Sequence, residues 1–185
     1  MIHSQLQYGL IVQAILLAIP EYVANGSPPV ISKIVKNTHP IDFGKNFIDN
    51  KRLFGDGKTF EGFVGGILAG YSISLIIYTL IILLYPSIIK YYVIPGPTDI
   101  LILCTLALTG DLIGAFIKRR LGLPRGAPAP LLDQLDFMAL PFVYMYYVLN
   151  IDNIMIYIFL IILTVGMHYF TNFVAYKLKI KREPW

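Results

Sequence analysis

Apolar residues dominate five stretches of the chain, each near the length of about 20 residues that a helix needs to cross the hydrocarbon core of a bilayer. The stretches are residues 6–24, 63–85, 98–117, 131–149 and 154–176. Two short connections, 86–97 and 150–153, alternate with two longer polar ones, 25–62 and 118–130. The pattern predicts an all-α integral membrane protein with about five transmembrane helices, and residues 1–185 form a single transmembrane domain.

Composition agrees with this prediction. The chain is 56% hydrophobic and only 14% charged, whereas a soluble domain carries about 25% charged residues. No Lys or Arg precedes the first apolar stretch, so it does not have the basic start of a secretory signal peptide. The single cysteine, Cys104, lies inside an apolar stretch and is interpreted as a small buried hydrophobic residue.

The basic residues indicate how the chain is oriented. All but one of the 15 Lys and Arg residues fall in residues 25–62, 118–130 and the tail 177–182, and the exception is Lys90. Five spans put those three segments on one side, which the positive-inside rule assigns to the cytoplasm. We therefore expect an outside N-terminus, a cytoplasmic C-terminus and two cytoplasmic loops. The net charge of +4 reflects mainly this topology, and binding of an anionic ligand is its second use. Nucleic-acid binding is not expected without a soluble domain to support it.

Three acids lie near the predicted cytoplasmic ends of adjacent spans. Asp111 is inside the third span, and an ionisable residue at membrane depth marks a candidate functional site. Asp133 and Asp136 are spaced i, i+3, so they share one helix face and repel each other. A divalent cation such as Mg²⁺, which takes carboxylate oxygens, would relieve that repulsion. The structural alternatives are an Asp111–Lys118 ion pair and two ordinary first-turn acids favoured by the helix dipole.

Basic residues lie between these acids. The segment "IKRRLGLPRG" carries Lys118, Arg119, Arg120 and Arg125, and arginine binds phosphate through paired hydrogen bonds. Charges that flank a span for topological reasons alone are the alternative interpretation.

The first loop ends in "FGDGKTFEG", residues 54–62. Its Gly-Lys-Thr is not a P-loop, because Arg52 stands where that motif requires glycine. A glycine-flanked turn that presents Asp56, Lys58, Thr59 and Glu61 could still bind phosphate through a lysine and backbone N–H groups. The alternative is a helix start with Thr59 as the N-terminal cap.

The stretch "GDLIGAFIKRRLGLPRGAPAPLLDQLDF" (110–137) resembles the signature of the CDP-diglyceride synthases, or phosphatidate cytidylyltransferases. Together with "DFGKNFIDNKRLFGDGKTFEGF" (42–63) and the short five-span length, it is most similar to the archaeal branch, the CDP-archaeol synthases. One departure is Ala115, where the wider family often has serine.

The resemblance implies Mg²⁺-dependent transfer of a cytidylyl group from CTP to the isoprenoid lipid 2,3-di-O-geranylgeranylglyceryl phosphate. Pyrophosphate leaves, and the product is CDP-archaeol. The site would lie on the cytoplasmic side of the cell membrane. The competing interpretation is a small ion-coupled membrane transporter, since intramembrane acids also serve ion coupling. The oligomeric state stays open.

Residue roles follow from the resemblance together with the chemistry of the side chains. The expected metal ligands are Asp111, Asp133 and Asp136, which with Lys118 form the catalytic set. Phosphates of CTP or lipid are expected to contact Lys118, Arg119 and Arg125. The residues expected to help bind CTP are Asp56, Lys58, Thr59 and Glu61, and Asn25 and Asp42 are expected to line the site.

Overall fold

The computed structural model describes residues 2–179, and within them the side chains of residues 8–167, 169–174 and 176–179. The elements are α1 (Ile2–Gly26), α2 (Pro28–Ile34), α3 (Phe60–Leu84), a 3₁₀ helix (Pro86–Lys90), α4 (Pro97–Arg120), α5 (Leu132–Tyr147) and α6 (Ile154–Lys177). Between residues 2 and 179 there is no β-strand, only two isolated bridges, Pro40 with Thr59 and Asn46 with Arg52. The all-helical prediction is confirmed.

Four segments are long and apolar enough to cross a bilayer: Tyr8–Ile34, Phe60–Leu84, Pro97–Arg120 and Ile154–Val174. The remaining predicted span, 131–149, corresponds to α5, which has 16 residues. At 1.5 Å per residue this helix is about 24 Å long, shorter than the about 30 Å of a hydrocarbon core. Five membrane crossings therefore stay a prediction.

Helix α5 nevertheless runs antiparallel along most of α4. At one end, Asp136 lies directly against Gly110 and Gly114 of α4, where a methyl group on either glycine would collide with it. At the other end, the Tyr144 hydroxyl donates to Asp99 Oδ1 at 2.7 Å, in the first turn of α4. The α4–α5 hairpin thus returns the chain to the opposite end of the bundle, as the predicted topology requires.

Small residues on α3 allow the first three long helices to pack closely. The buried positions of α3 are Gly62, Gly66, Gly70, Ser74 and Tyr78, which recur every four residues. A methyl group on Gly66 would meet Leu108 and the Ala24 carbonyl, and one on Gly70 would meet Cys104 and Ala24. Such stripes let backbones approach where lipid offers no hydrophobic drive for association. The face of α3 away from this stripe exposes large apolar side chains, among them Val64, Leu68, Ile76 and Leu80.

The polar segments collect at one end of this bundle, which we call the basic end. Lys51 Nζ in the first loop donates to the Arg120 carbonyl at 2.8 Å, and Lys33 Nζ donates to the Lys179 carbonyl at 3.0 Å. The three basic segments therefore share one end, as the charge pattern predicted, although Lys181 and Arg182 of the tail lie outside the described residues. That this end faces the cytoplasm stays a prediction.

Candidate active site

The first loop is organised around a buried carboxylate, Asp42, whose side chain is 0% exposed. It accepts two hydrogen bonds from the Arg52 guanidinium, at 2.6 and 3.2 Å. The N–H groups of Phe54, Gly55 and Gly44 also donate to it, at 3.0, 2.8 and 3.1 Å. Burial by itself would raise the pKa of Asp42, but Arg52 and the three N–H groups outweigh it and hold the pKa well below its usual range. Asp42 therefore lies inside the loop, where it fixes the path of the backbone.

Arg52 also binds the loop's exposed acid. Its guanidinium lies 2.8 Å from Asp56 Oδ1, and the Asp56 side chain remains 64% exposed. Asp56 is thus held in place at the surface and remains accessible to a ligand, unlike Asp42.

The turn after Asp56 delivers Lys58 to Asp111. The turn closes with a hydrogen bond from Lys58 N to the Gly55 carbonyl at 3.2 Å, and Gly55 has a φ of +91° that glycine adopts readily. Lys58 Nζ lies 2.5 Å from both carboxylate oxygens of Asp111. The partner of Asp111 is therefore a loop lysine 53 positions away, rather than Lys118 as the structural alternative supposed.

Thr59 and Glu61 make structural contacts at the start of α3. Thr59 is the N-cap of the helix and accepts from Gly62 N at 3.1 Å, so the capping interpretation of this segment is confirmed. Glu61 accepts from the His39 backbone N–H at 2.8 Å and lies 2.6 Å from His39 Nδ1. Thr59 thus fixes the start of α3, and Glu61 attaches the His39 segment of the first loop to that helix.

A second pair of opposite charges bridges the two helices on either side of the second loop. Lys118 Nζ lies 2.7 Å from Asp133 Oδ1, and Asp133 Oδ2 accepts from the Ala129 N–H at 2.8 Å. Asp133 is in the first turn of α5, as the helix-start alternative also expected. It therefore joins the end of α4 to the start of α5.

Asp136 lies within the same corner of the molecule. Its side chain is pressed against Gly114, its backbone carbonyl lies against Gly110, and its Oδ1 accepts from the Phe137 N–H at 2.7 Å. Gly110, which its carbonyl contacts, directly precedes Asp111 in α4, and Asp133 lies three residues earlier on α5. The structure thus brings the three predicted acids into one region. Two of them, Asp111 and Asp133, are each paired with a lysine.

Two arginines of the second loop pack beside the turn that carries Lys58. Arg119 lies beside Gly55 and donates to the Pro124 carbonyl at 3.2 Å. Its Nε is buried without a hydrogen-bond partner. The Arg125 side chain is packed beside Gly57. Asn25, the last of the predicted residues, is half-buried one residue before the end of α1.

The chemistry of these donors suits a hard cation, although their present partners are lysines. Within residues 2–179, no three His, Cys, Asp or Glu side chains are grouped so as to hold a metal ion. Mg²⁺ in nucleotide sites, however, usually takes only one or two carboxylates and completes its shell with phosphates and water. Asp111 and Asp133 fit that requirement if Lys58 and Lys118 transfer to phosphates. The metal assignment stays a prediction.

Sequence reasoning did not assign a role to Arg52 or an anchor to Arg120. Arg52 binds acids on either side of it in the loop, and Arg120 binds the loop backbone 68 and 69 positions away. Every residue has a backbone carbonyl, so the sequence does not indicate which carbonyls Arg120 binds. Only the folded loop shows this contact.

The fold and the site together define a helical membrane protein with paired acids and bases at one end of its bundle. The family model described as CarS-like, CDP-archaeol synthase, matches residues 7–185. The CDP-archaeol synthase of Pyrobaculum calidifontis is 47% identical over 177 residues, which cover 95% of this chain and 98% of that protein. The CDP-archaeol synthase of Saccharolobus islandicus is 45% identical, with 93% of this chain and 95% of that protein covered.

A solved structure of an intramembrane enzyme for archaeal membrane lipids biosynthesis superimposes with a TM-score of 0.69 at 30% identity. The match covers 88% of this chain and 94% of that one. The chain belongs to the CDP-archaeol synthase family. The resemblance seen in the sequence and the cytidylyltransferase function that it implied are confirmed.

Proposed function

We propose that this chain transfers the cytidylyl group of CTP to 2,3-di-O-geranylgeranylglyceryl phosphate, with Mg²⁺, at the basic end of the bundle. The observation that carries the proposal is the pair of lysine–aspartate contacts, Lys58 with Asp111 and Lys118 with Asp133. The first pair joins the first loop to α4, and the second joins the last turn of α4 to the first turn of α5. The site therefore combines acids for a cation and bases for phosphates at the boundary between hydrocarbon and water.

The reaction joins a lipid anchored in hydrocarbon to a nucleotide dissolved in water. An oxygen of the lipid phosphate attacks the α-phosphorus of CTP, a new P–O bond forms, and the bond to the β-phosphate oxygen breaks. Pyrophosphate takes the electron pair of that bond. Because the attacking phosphate is already anionic, this transfer requires positioning and charge stabilisation rather than a general base.

The chain's own residues divide these tasks. Lys58, Lys118, Arg119 and Arg125 are the cations available to the phosphates of the two substrates. Asp111 and Asp133, with Asp136 beside them, would hold Mg²⁺, which when bound supplies charge neutralisation at the phosphates. Lys58 and Lys118 neutralise the two acids beforehand, and they transfer to phosphate oxygens when the nucleotide enters.

The side of the membrane follows from charge. The basic end carries the loops that the positive-inside rule assigns to the cytoplasm, where a soluble nucleotide is available. The transporter interpretation is less consistent with this geometry, because transporter sites lie near the bilayer midplane. Here Asp133 is in the first turn of α5, and Asp111, although inside α4, is paired with a lysine of the first loop.

The test uses purified full-length protein in liposomes, labelled CTP and synthetic geranylgeranylglyceryl phosphate. We expect label in an organic-extractable product, its loss on addition of EDTA, and its recovery with excess Mg²⁺. Reactions without lipid phosphate and with denatured protein are the controls. Absence of product across lipid and metal conditions would refute the enzymatic proposal, and full activity in metal-depleted protein would refute the Mg²⁺ requirement alone.

A further inference from the structure

A small hairpin in the first loop lies against the end of α4. We call residues 45–53 the loop hairpin. Its hydrogen bonds run from Phe47 N to the Lys51 carbonyl at 2.8 Å, and from Leu53 N to the Lys45 carbonyl at 3.2 Å. Asn50 at its tip has a φ of +60°. The hairpin is therefore a defined structure that needs an attachment to the helix bundle.

Arg120, in the last turn of α4, provides that attachment. One nitrogen of its guanidinium donates to the carbonyls of Arg52 at 2.5 Å and Lys51 at 3.0 Å. Its Nε lies 3.0 Å from Asp49 Oδ2. Lys51 Nζ donates back to the Arg120 carbonyl at 2.8 Å.

Two aromatic rings enclose the same guanidinium. It lies 5.1 Å from the centre of the Phe47 ring and 4.6 Å from that of Phe116, and the two rings meet edge to face. One ring belongs to the hairpin and the other to α4, so the cation joins the two elements through cation–π contacts as well. The side chain is only 20% exposed. Its Nη2 is directed at the two hairpin carbonyls, whereas Nε and Nη1 are buried without a hydrogen bond.

The hairpin leads directly to the candidate site. Arg52, whose carbonyl Arg120 binds, holds Asp42 and Asp56 with its own side chain. The turn that follows delivers Lys58 to Asp111. A displaced hairpin would therefore displace the lysine and the exposed acid of the loop together.

We propose that Arg120 is a positioning residue for nucleotide binding, which holds the loop hairpin on α4 and so sets Lys58 over Asp111. It is not itself a phosphate ligand, unlike the other basic residues of its segment. This inference rests on the proposed function for its kinetic consequence. Its structural part, attachment of the hairpin, can be tested independently of activity.

The test compares Arg120→Gln and Arg120→Lys with a charge-matched control, Lys45→Gln, an exposed residue of the same hairpin. Because a lysine lacks the planar guanidinium and stacks less well on aromatic rings, we expect Arg120→Lys to be intermediate between Arg120→Gln and wild type. For Arg120→Gln we expect the KM for CTP to rise about tenfold, with kcat at saturating CTP within about twofold of wild type. The KM for the lipid and all values for Lys45→Gln should stay near wild type.

The second readout is limited trypsin digestion of detergent-solubilised protein, mapped by mass spectrometry. Arg120→Gln should be cleaved faster than wild type within residues 45–58 in the absence of CTP, and saturating CTP should restore most of the protection. Phe47→Leu, which keeps an apolar side chain, should shift both readouts in the same direction by less.

The outcomes distinguish a positioning role of Arg120 from direct phosphate binding, and this inference from the proposed function. A raised KM with unchanged digestion would mean that Arg120 binds phosphate directly, and an unchanged KM in an active protein would mean that it has no role. Either result overturns the inference. If wild type forms no CDP-lipid, the proposed function fails, and the digestion alone then decides whether Arg120 holds the hairpin.

Discussion

The two ends of the helix bundle use polar side chains differently. All six ion pairs found within residues 2–179 lie at the basic end. At the opposite end, Gln13 exchanges hydrogen bonds with the Val93 backbone at 2.9 and 2.8 Å, and Asp99 accepts from Gly96 N and Tyr144. Both ends fix their helices with hydrogen bonds, but only the basic end keeps opposite charges where an incoming anion can exchange them. Variants at the two ends should therefore separate catalysis from folding.

The largest difference is expected between Asp133→Asn and Asp99→Asn. Asp133→Asn keeps the shape but removes a charge assigned to cation binding, and we expect activity to fall by about 10³-fold. Asp99→Asn should keep near wild-type turnover, because the amide can still bond both Gly96 N and the Tyr144 hydroxyl and the contact lies away from the acids of the site. Labelled-CTP turnover measures both, with circular dichroism to verify folding. Near-normal turnover of folded Asp133→Asn would contradict the metal-ligand role.

A smaller loss is expected for Lys58→Gln, about 10²-fold in kcat/KM. The change removes the cation assigned to phosphate and leaves Asp111 without its partner. The matched control is Lys90→Gln at the opposite end, where turnover should not change. Initial rates over a range of CTP concentrations measure the effect. A loss of the same size in Lys90→Gln would show that general surface charge, rather than the site, controls the rate.

Asp42→Asn should act mainly on the stability of the first loop. Removing the acid leaves Arg52 without a buried partner, at a cost of about 3 kcal/mol. Because the pKa of Asp42 is depressed in the folded protein, its stabilisation is complete above its unfolded pKa and is lost as pH falls through the folded pKa. The stability gap to wild type should thus be constant from neutral to mildly acidic pH and narrow only in strong acid. Thermal unfolding in detergent at several pH values tests this, and a gap that closes already near neutral pH would refute it.

The smallest effect on turnover is expected for Gln13→Ala. The substitution leaves both Val93 backbone groups without their partner and should cost about 1 kcal/mol of stability. Turnover at moderate temperature should equal wild type, since the contact lies away from the acids. A thermal unfolding curve and a rate measurement suffice, and a strong loss of turnover without loss of stability would show that the opposite end also serves the reaction.

Most of the architecture could be predicted because lipid imposes simple constraints. The apolar stretches predicted the four long helices to within a few residues, except that α1 begins at Ile2 rather than residue 6. The fourth stretch is also a helix, but α5 is shorter than predicted: Leu131 has a φ of +66°, so the helix begins after it, and it ends at Tyr147. Basic and non-basic connections alternate along the chain. Because successive spans run in opposite directions, this alternation predicted which connections share an end of the bundle.

The sequence by itself determined the helical membrane class, the common end of the basic segments, and the acids and bases of the candidate site. These features follow from composition and periodicity, because a bilayer requires long apolar helices and the helical repeat determines which side chains share a face. Only the tertiary structure decided the partners: Lys58 rather than Lys118 for Asp111, Asp42 as the centre of the first loop, and Arg120 on the hairpin carbonyls. These pairings depend on loop backbone conformation and on contacts between residues far apart in the chain. Neither produces a periodic pattern in the sequence.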